Sequence, residues 1–305
     1  MAAISEAKAE AKFKAISNRW VEETRVARSG EVPEEVFHYT DAAGLHGMLS
    51  QHSIWLTDHR FLNDKTEAAY TKTLVRSILD KLDSDDAITR AFLKRMRILS
   101  EIRSNDDSFV FSLSEASDDL SQWRGYARDG QGFTLGFDAN VLHTVGRPDD
   151  AEYSFAKVEY DPDRQSSTLE KMIREFITTL GGMKLDATAD EKIIKVAADK
   201  ADWAVENKSL LNKHRSFQSE KEWRIVSYCS PKHDDVRVRT SGLRLVPYNV
   251  VKPQGDDVEL LPLTSIRIGP GFDDPEAVRD AVRTLADIHG YKPRIEVADT
   301  PYRKV

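Results

Sequence analysis

Cysteine is almost missing from this chain: Cys229 is the only one in 305 residues. A single thiol excludes an internal disulfide framework and a zinc site built from several cysteines. Long apolar runs are missing too. The mean hydropathy is −0.51, and no stretch approaches the roughly 18–20 apolar residues that a membrane-spanning helix needs. Positive charge is in deficit, with 44 Lys and Arg against 51 Asp and Glu, a formal net charge of −7. Proteins that coat nucleic acid by phosphate neutralisation carry a basic surplus, so that class is disfavoured, although a local basic cleft is compatible with the sum. No charged-then-apolar leader opens the chain. No HExxH, P-loop, GxGxxG or GxSxG pattern occurs, so the chemistries those motifs mark lack their usual residues. The eight histidines are scattered, and the densest group, His38, His46, His52 and His59, straddles helix, loop and strand. No metal site is expected of them. The expectation is a cytoplasmic, soluble globular protein with no membrane partner.

What is present is enough for a large core. The chain is 40% hydrophobic, and at this length roughly three quarters of the unfolded surface is buried on folding. Ala2 to about Val26 is Ala/Glu/Lys-rich, with Phe13, Ile16, Trp20 and Val21 at helical spacing. Ser29, Gly30 and Pro33 break that pattern. Short strands follow at Val36–Tyr39 and Ile54–Leu56, around a helix over Ala42–Leu49. Asn63-Asp64 has the form of a helix cap, opening a helix toward Leu82. A second helix over Ala87–Ile102 offers Ile88, Phe92, Met96 and Ile98 to a core. Phe109–Ser114 reads as a strand, and Ser117 or Asp118 as the cap of a short helix over Leu120–Tyr126. Two helices divided at Gly181-Gly182 span about Asp163 to Leu211, with Met172, Ile173, Phe176 and Ile177 at helical spacing in the first. The C-terminal third is again strand-rich, including the Val236-Arg237-Val238-Arg239 alternation. Short strands with helices between them mean α+β. The expected organisation is an N-terminal helical extension (1–30) and a single α+β domain (31–305), with a helical insertion near 163–211.

Four polar clusters lie on or beside predicted strands: His38-Tyr39-Thr40, Ser112-Leu113-Ser114, Gln122-Trp123-Arg124 and Glu220-Lys221-Glu222. Strand alternation places Ser112 with Ser114, and Glu220 with Glu222, on shared faces. Each cluster also has a structural reading. His38 is equally a hydrogen-bonded core histidine, and Trp123 and Trp223 are core anchors before they are ligand platforms. Arg124 and Arg224 pair as readily with Asp118, Asp119, Glu220 or Glu222 as with a phosphate. Gly269-Pro270-Gly271 is a turn before it is an anion cradle.

As a set, FHYT (Phe37–Thr40), FLND (Phe61–Asp64), LSQWRGY (Leu120–Tyr126), EKEWR (Glu220–Arg224) and IGPG (Ile268–Gly271) resemble a large bacterial family known only as domain of unknown function 2971. The likeness runs from about Val36 to Arg303. A more distant likeness is to the ADP-ribosyltransferases, carried by a His-x-Thr strand followed by a short helix and a second strand, His38 to Leu56. That likeness implies an ADP-ribosyltransferase-like fold, a mixed or antiparallel sheet core with an N-terminal helix and helical insertions. It also implies NAD as substrate, held by His38, Thr40, Ser112 and Ser114, with Trp55 or Tyr126 stacking on the nicotinamide and Arg124 on the pyrophosphate. Glu222 then stabilises the ribose cation and Glu220 serves the acceptor, a protein or a nucleic acid. Water in place of the acceptor gives NAD hydrolysis. A place in phage defence or as a toxin suits the family resemblance. Two other readings stand beside it: a non-enzymatic ligand-sensing or interaction domain, and a metal-dependent nuclease using Glu220, Glu222 and Asp64.

Overall fold

A computed structural model describes residues 5–23, 32–62, 67–101, 108–142, 153–183, 185, 190–228, 235–241, 243–253 and 259–302. The expected cap at Asn63-Asp64 lies outside the described residues, as does Cys229. In chain order the elements are α1 (Glu6–Glu22), β1 (Glu35–Thr40), α2 (Ala42–Gln51), β2 (Ile54–Asp58), α3 (Glu67–Lys81), α4 (Ala87–Glu101), β3 (Ser108–Ser114), α5 (Leu120–Tyr126), β4 (Phe133–Asp138) and α6 (Ala139–Leu142). There follow β5 (Tyr153–Lys157), α7 (Pro162–Gly181), α8 (Glu191–Ser209), β6 (Glu222–Tyr228), β7 (Val236–Ser241), β8 (Arg244–Val251), β9 (Leu263–Ile268), α9 (Pro275–Ile288) and β10 (Arg294–Val297). The protein is α+β with a mostly antiparallel sheet. The chain gathers into two compact units, one of residues 1–25, 63–106 and 158–218, the other of 26–62, 107–157 and 219–305.

The first unit is helical. Helices α1, α3, α4, α7 and α8 bury one face each, as their 3.6-residue periodicity requires. Phe13 of α1 stacks on Phe176 of α7 with ring centres 5.7 Å apart, and Phe92, Met96, Leu169, Met172 and Ile173 complete this core. The N-terminal helix, expected as an extension, is thus a packed member of the unit. On α4, Ile88 is buried as its spacing implies, but Ile98 is exposed. Asp161 caps α7, its carboxylate accepting from the Asp163 and Arg164 amides, and Pro162 occupies the first turn where no amide is required. The division at Gly181-Gly182 is where α7 ends.

The second unit holds the sheet, whose strands run β10-β9-β4-β1-β3-β2-β8-β7. All described pairings but one are antiparallel, the exception being β9 with β10. Strand β6 pairs with β3 along its whole length, Ser108 opposite Tyr228 through Ser114 opposite Glu222, and β5 covers the far side of β6. One edge of β3 is therefore filled by β6. The other edge is shared: β1 meets it at Ser114, and β2 meets it at Phe109 and Val110. Between those two contacts the ladder is interrupted, and the backbone of β3 near Ser112 needs a partner that is not a strand.

Candidate functional site

That interruption is where His38, Ser112, Tyr126, Glu220 and Glu222 of the predicted residues meet. A pocket with roughly 340 Å³ of space is lined by Phe37, His38 and Tyr39 of β1, Ser112 and Leu113 of β3, Gln122 and Tyr126 of α5, and Glu220 with Glu222.

His38 supplies the partner that the broken ladder leaves open. Its Nδ1–H donates to the Ser112 carbonyl at 2.9 Å, and its ring stacks on Phe111 with centroids 4.1 Å apart. Burial lowers the ring's pKa from 6.5 to about 4 against the pull of the Ser112 carbonyl, and the positive charge of Arg239 lowers it further. The imidazole is therefore neutral at pH 7. A carbonyl only accepts, so the proton sits on Nδ1 and Nε2 presents a lone pair.

The acidic pair is built by a kink. Glu220 ends a short 3-10 helix, Arg215–Glu220, and β6 starts at Glu222. Between them Lys221 has φ 46°, in the left-handed region that a β-carbon disfavours. The two carboxylates therefore converge on the pocket through this turn rather than through the strand alternation expected for them. Glu115 and Ser114 hold the kink from across the ladder: the Glu115 amide donates to the Lys221 carbonyl at 3.1 Å, and Ser114 Oγ donates to the Glu220 carbonyl at 2.7 Å. Glu222 is 4% exposed and Arg224 1%, and the guanidinium grips the carboxylate in a two-point fork at 2.7 and 2.9 Å. Glu220 is less enclosed, and Tyr126 Oη donates to its Oε1 at 3.1 Å.

Helix α5 brings in Gln122 and Tyr126, four residues apart and hence on one face. Its cap is Asp119, whose carboxylate accepts from the Ser121 and Gln122 amides, and not Ser117 or Asp118. Asp118 instead accepts from Trp123 Nε1 at 2.6 Å and from the amides of Asp299 and Thr300. Trp123 is fully buried, edge-on to Tyr39 at 4.9 Å, which roots the helix beside β1. The Tyr39 hydroxyl donates to the Ala116 carbonyl and accepts from the Asp119 amide; burial raises its pKa, so it stays protonated.

Of the residues nominated from sequence, His38, Ser112, Tyr126, Glu220 and Glu222 line the pocket, whereas Thr40, Trp55, Ser114 and Arg124 do not. Thr40 is buried against α2, its Oγ1 so close to Gly44 that a β-carbon there would lie 2.1 Å away. Ser114 positions the Glu220 turn instead of facing the cavity. Arg124 is exposed and stacks on Tyr302, 4.9 Å from the ring centre. Trp55 leans on Tyr248 with ring centres 5.1 Å apart and carries Arg239 above its face, so Tyr126 is the nominated aromatic that reaches the pocket. Trp123 and Trp223 are core anchors, as their size suggests. Gly269 and Gly271 spend their amides on the Gly132 and Gly130 carbonyls, which makes their segment a turn and not an anion cradle. Sequence reasoning assigned no role to Phe37, Tyr39 or Gln122; the four-residue spacing of Gln122 and Tyr126 on a capped helix was the available signal for Gln122. Among the described residues, no group of three or more His, Cys, Asp or Glu is placed to hold a metal ion, and none of the helices is long and apolar enough to cross a membrane.

Residues 122–225 match the model of a family described as a protein of unknown function (DUF2971). This stretch is similar to that family, and the match covers less than half of the chain. The DUF2971 match takes in Gln122, Tyr126, Glu220 and Glu222 of the pocket and leaves out His38 and Ser112. Most of LSQWRGY and all of EKEWR fall within the DUF2971 stretch, and FHYT, FLND and IGPG fall outside it. No curated protein and no solved structure matches the chain.

Proposed function

We propose that the pocket binds NAD by its nicotinamide-side ribose and cleaves the ribose–nicotinamide bond, transferring ADP-ribose to a macromolecular acceptor or to water. The observation that carries this reading is the convergence of a neutral His38 with Glu220 and Glu222 in one cavity. In fold terms the reading is an ADP-ribosyltransferase-like sheet core. Its support is the chain order in which His38 on β1, Ser112 on β3 and Glu222 on β6 reach that cavity.

The chemistry follows from the groups present. The bond between the ribose C1′ and the pyridinium nitrogen breaks, and its electron pair leaves with nicotinamide. Positive charge then develops on the ribose ring as in glycoside cleavage. Glu222, held in place by Arg224, sets a fixed negative charge beside it and accepts from a ribose hydroxyl. His38 Nε2, a lone pair at neutral pH, accepts from another hydroxyl. The acceptor's hydroxyl or amine forms the new bond to C1′ and gives its proton to Glu220, the more accessible carboxylate. Tyr126 offers its ring to the cationic nicotinamide.

Release of nicotinamide from NAD, with and without cell extract as acceptor, tests this. Glu220→Gln leaves the Glu222–Arg224 pair intact and should lower turnover by about 10²–10⁴-fold, the scale of a lost general base. A wild-type protein that neither binds NAD by calorimetry nor releases nicotinamide overturns the reading and leaves a non-enzymatic interaction domain. Chelator-sensitive cleavage of nucleic acid without NAD turnover overturns it in favour of a nuclease.

A further inference from the structure

The strand order places a second cationic group on the same unit, outside the pocket. Arg237 and Arg239 share one face of β7, and the pairings put Tyr248 of β8 and both Trp55 and Thr57 of β2 on that face. The Arg239 guanidinium lies 5.7 Å from the Trp55 ring centre and 5.6 Å from that of Tyr248, and its Nη2 donates to Thr57 Oγ1 at 2.8 Å. Its Nε is buried with no hydrogen-bond partner. Among the described residues no Asp or Glu forms an ion pair with it, in contrast to Arg224, Arg267 and Arg294, each of which has a carboxylate. Burial lowers the pKa of Arg239 against the longer-range pull of Asp41, a carboxylate already paired with Arg128, and the Arg239 charge reaches His38. Two aromatic faces offset part of the cost of desolvating a cation, but they supply no counter-charge.

We propose that Arg239, seated between Trp55 and Tyr248 and steadied by Thr57, is the binding site for a phosphate group of the ligand. A planar guanidinium matches two phosphate oxygens at once, and Thr57, accepting from Arg239, has its own hydroxyl proton to offer a third. Arg237, exposed on the same face, adds a second positive charge. The identity of the rest of the ligand rests on the nucleotide reading of the neighbouring pocket; the phosphate site rests on the surroundings of Arg239.

Inorganic pyrophosphate is the probe, titrated into the full chain by calorimetry and followed by thermal unfolding. Wild type should bind it and unfold at a higher temperature in millimolar pyrophosphate. Arg239→Gln should weaken binding by roughly tenfold or more, the cost of a lost charge-assisted fork. Arg239→Lys retains the charge without the fork and should fall between the two, which decides the matter if the Gln variant does not fold. Binding unchanged in Arg239→Lys and Arg239→Gln, or no binding by wild type, overturns the site. Acetate binding as tightly as pyrophosphate also overturns it, in favour of a carboxylate site. Arg239-dependent pyrophosphate binding without any NAD turnover keeps the phosphate site while the transferase reading falls. NAD turnover indifferent to Arg239 does the reverse.

Discussion

His38 couples the pocket to pH through a depressed pKa. The unfolded chain takes up a proton near 6.5 and the folded chain near 4, so between those values the unfolded state holds more protons. Its contribution to stability is fully present above pH 6.5 and is lost progressively as the pH falls toward 4. The urea midpoint of wild type should therefore drop across this window, and His38→Gln should flatten that part of the drop. Glu222 and Arg224 make a harsher case, because both are buried and each is the other's neutralising partner. Glu222→Gln strands the guanidinium and should cost about 3–5 kcal/mol in chemical denaturation. Glu222→Gln combined with Arg224→Met should recover much of that loss. The pair explains why Glu220→Gln is the cleaner probe of chemistry.

Elements aim these residues more than the residues aim themselves. Lys221 sits in the left-handed region between a 3-10 helix and β6, and the two acidic groups point into one cavity because of that turn. Glycine adopts this conformation without penalty, so Lys221→Gly should leave the unfolding midpoint unchanged or raise stability by about 1 kcal/mol. Lys221→Ile should lower it and displace Glu220 from Tyr126, seen as reduced nicotinamide release. Helix α5 has seven residues and depends on its cap. Asp119→Ala should cost about 1 kcal/mol of stability, read by thermal unfolding, and should loosen Gln122 and Tyr126 together. Much at this scale was legible in the chain. The apolar spacing of Phe13, Phe92 and Phe176 marked their helices, and Gly181-Gly182 marked the end of α7. The kink at Lys221 was not legible, because a lysine gives no local sign of a positive φ; it is imposed by the hydrogen bonds of Glu115 and Ser114 across the ladder. The exposure of Ile98 was equally invisible, since helical spacing names a face but not its edges.

At the scale of the whole molecule, charge position matters more than the net −7. The sum left room for a basic cleft, and Arg124 was expected on a pyrophosphate. The structure gives Arg224 to Glu222, Arg267 to Glu296 and Arg124 to the Tyr302 ring. Arg239 was hidden in a plain Val-Arg-Val-Arg alternation, and only strand register, which a single sequence does not encode locally, sets it over Trp55 and Tyr248. His38, Ser112 and Glu222 could be named from the chain because each lies in a short polar motif on a strongly apolar strand. In the helical unit, Phe13→Ala should cost about 3–5 kcal/mol by chemical denaturation, the usual loss for a buried phenylalanine. The pairing of β3 with β6 has a further consequence for how the chain is made. Synthesis delivers the Phe109–Leu113 run long before Glu222–Tyr228, the segment that closes its edge. Until β6 leaves the ribosome, the growing chain carries an uncovered apolar strand and half a pocket. Polypeptides stopped before Glu222 should therefore accumulate as aggregates and demand chaperones, and whatever this protein does in a cell starts only once translation has passed that point.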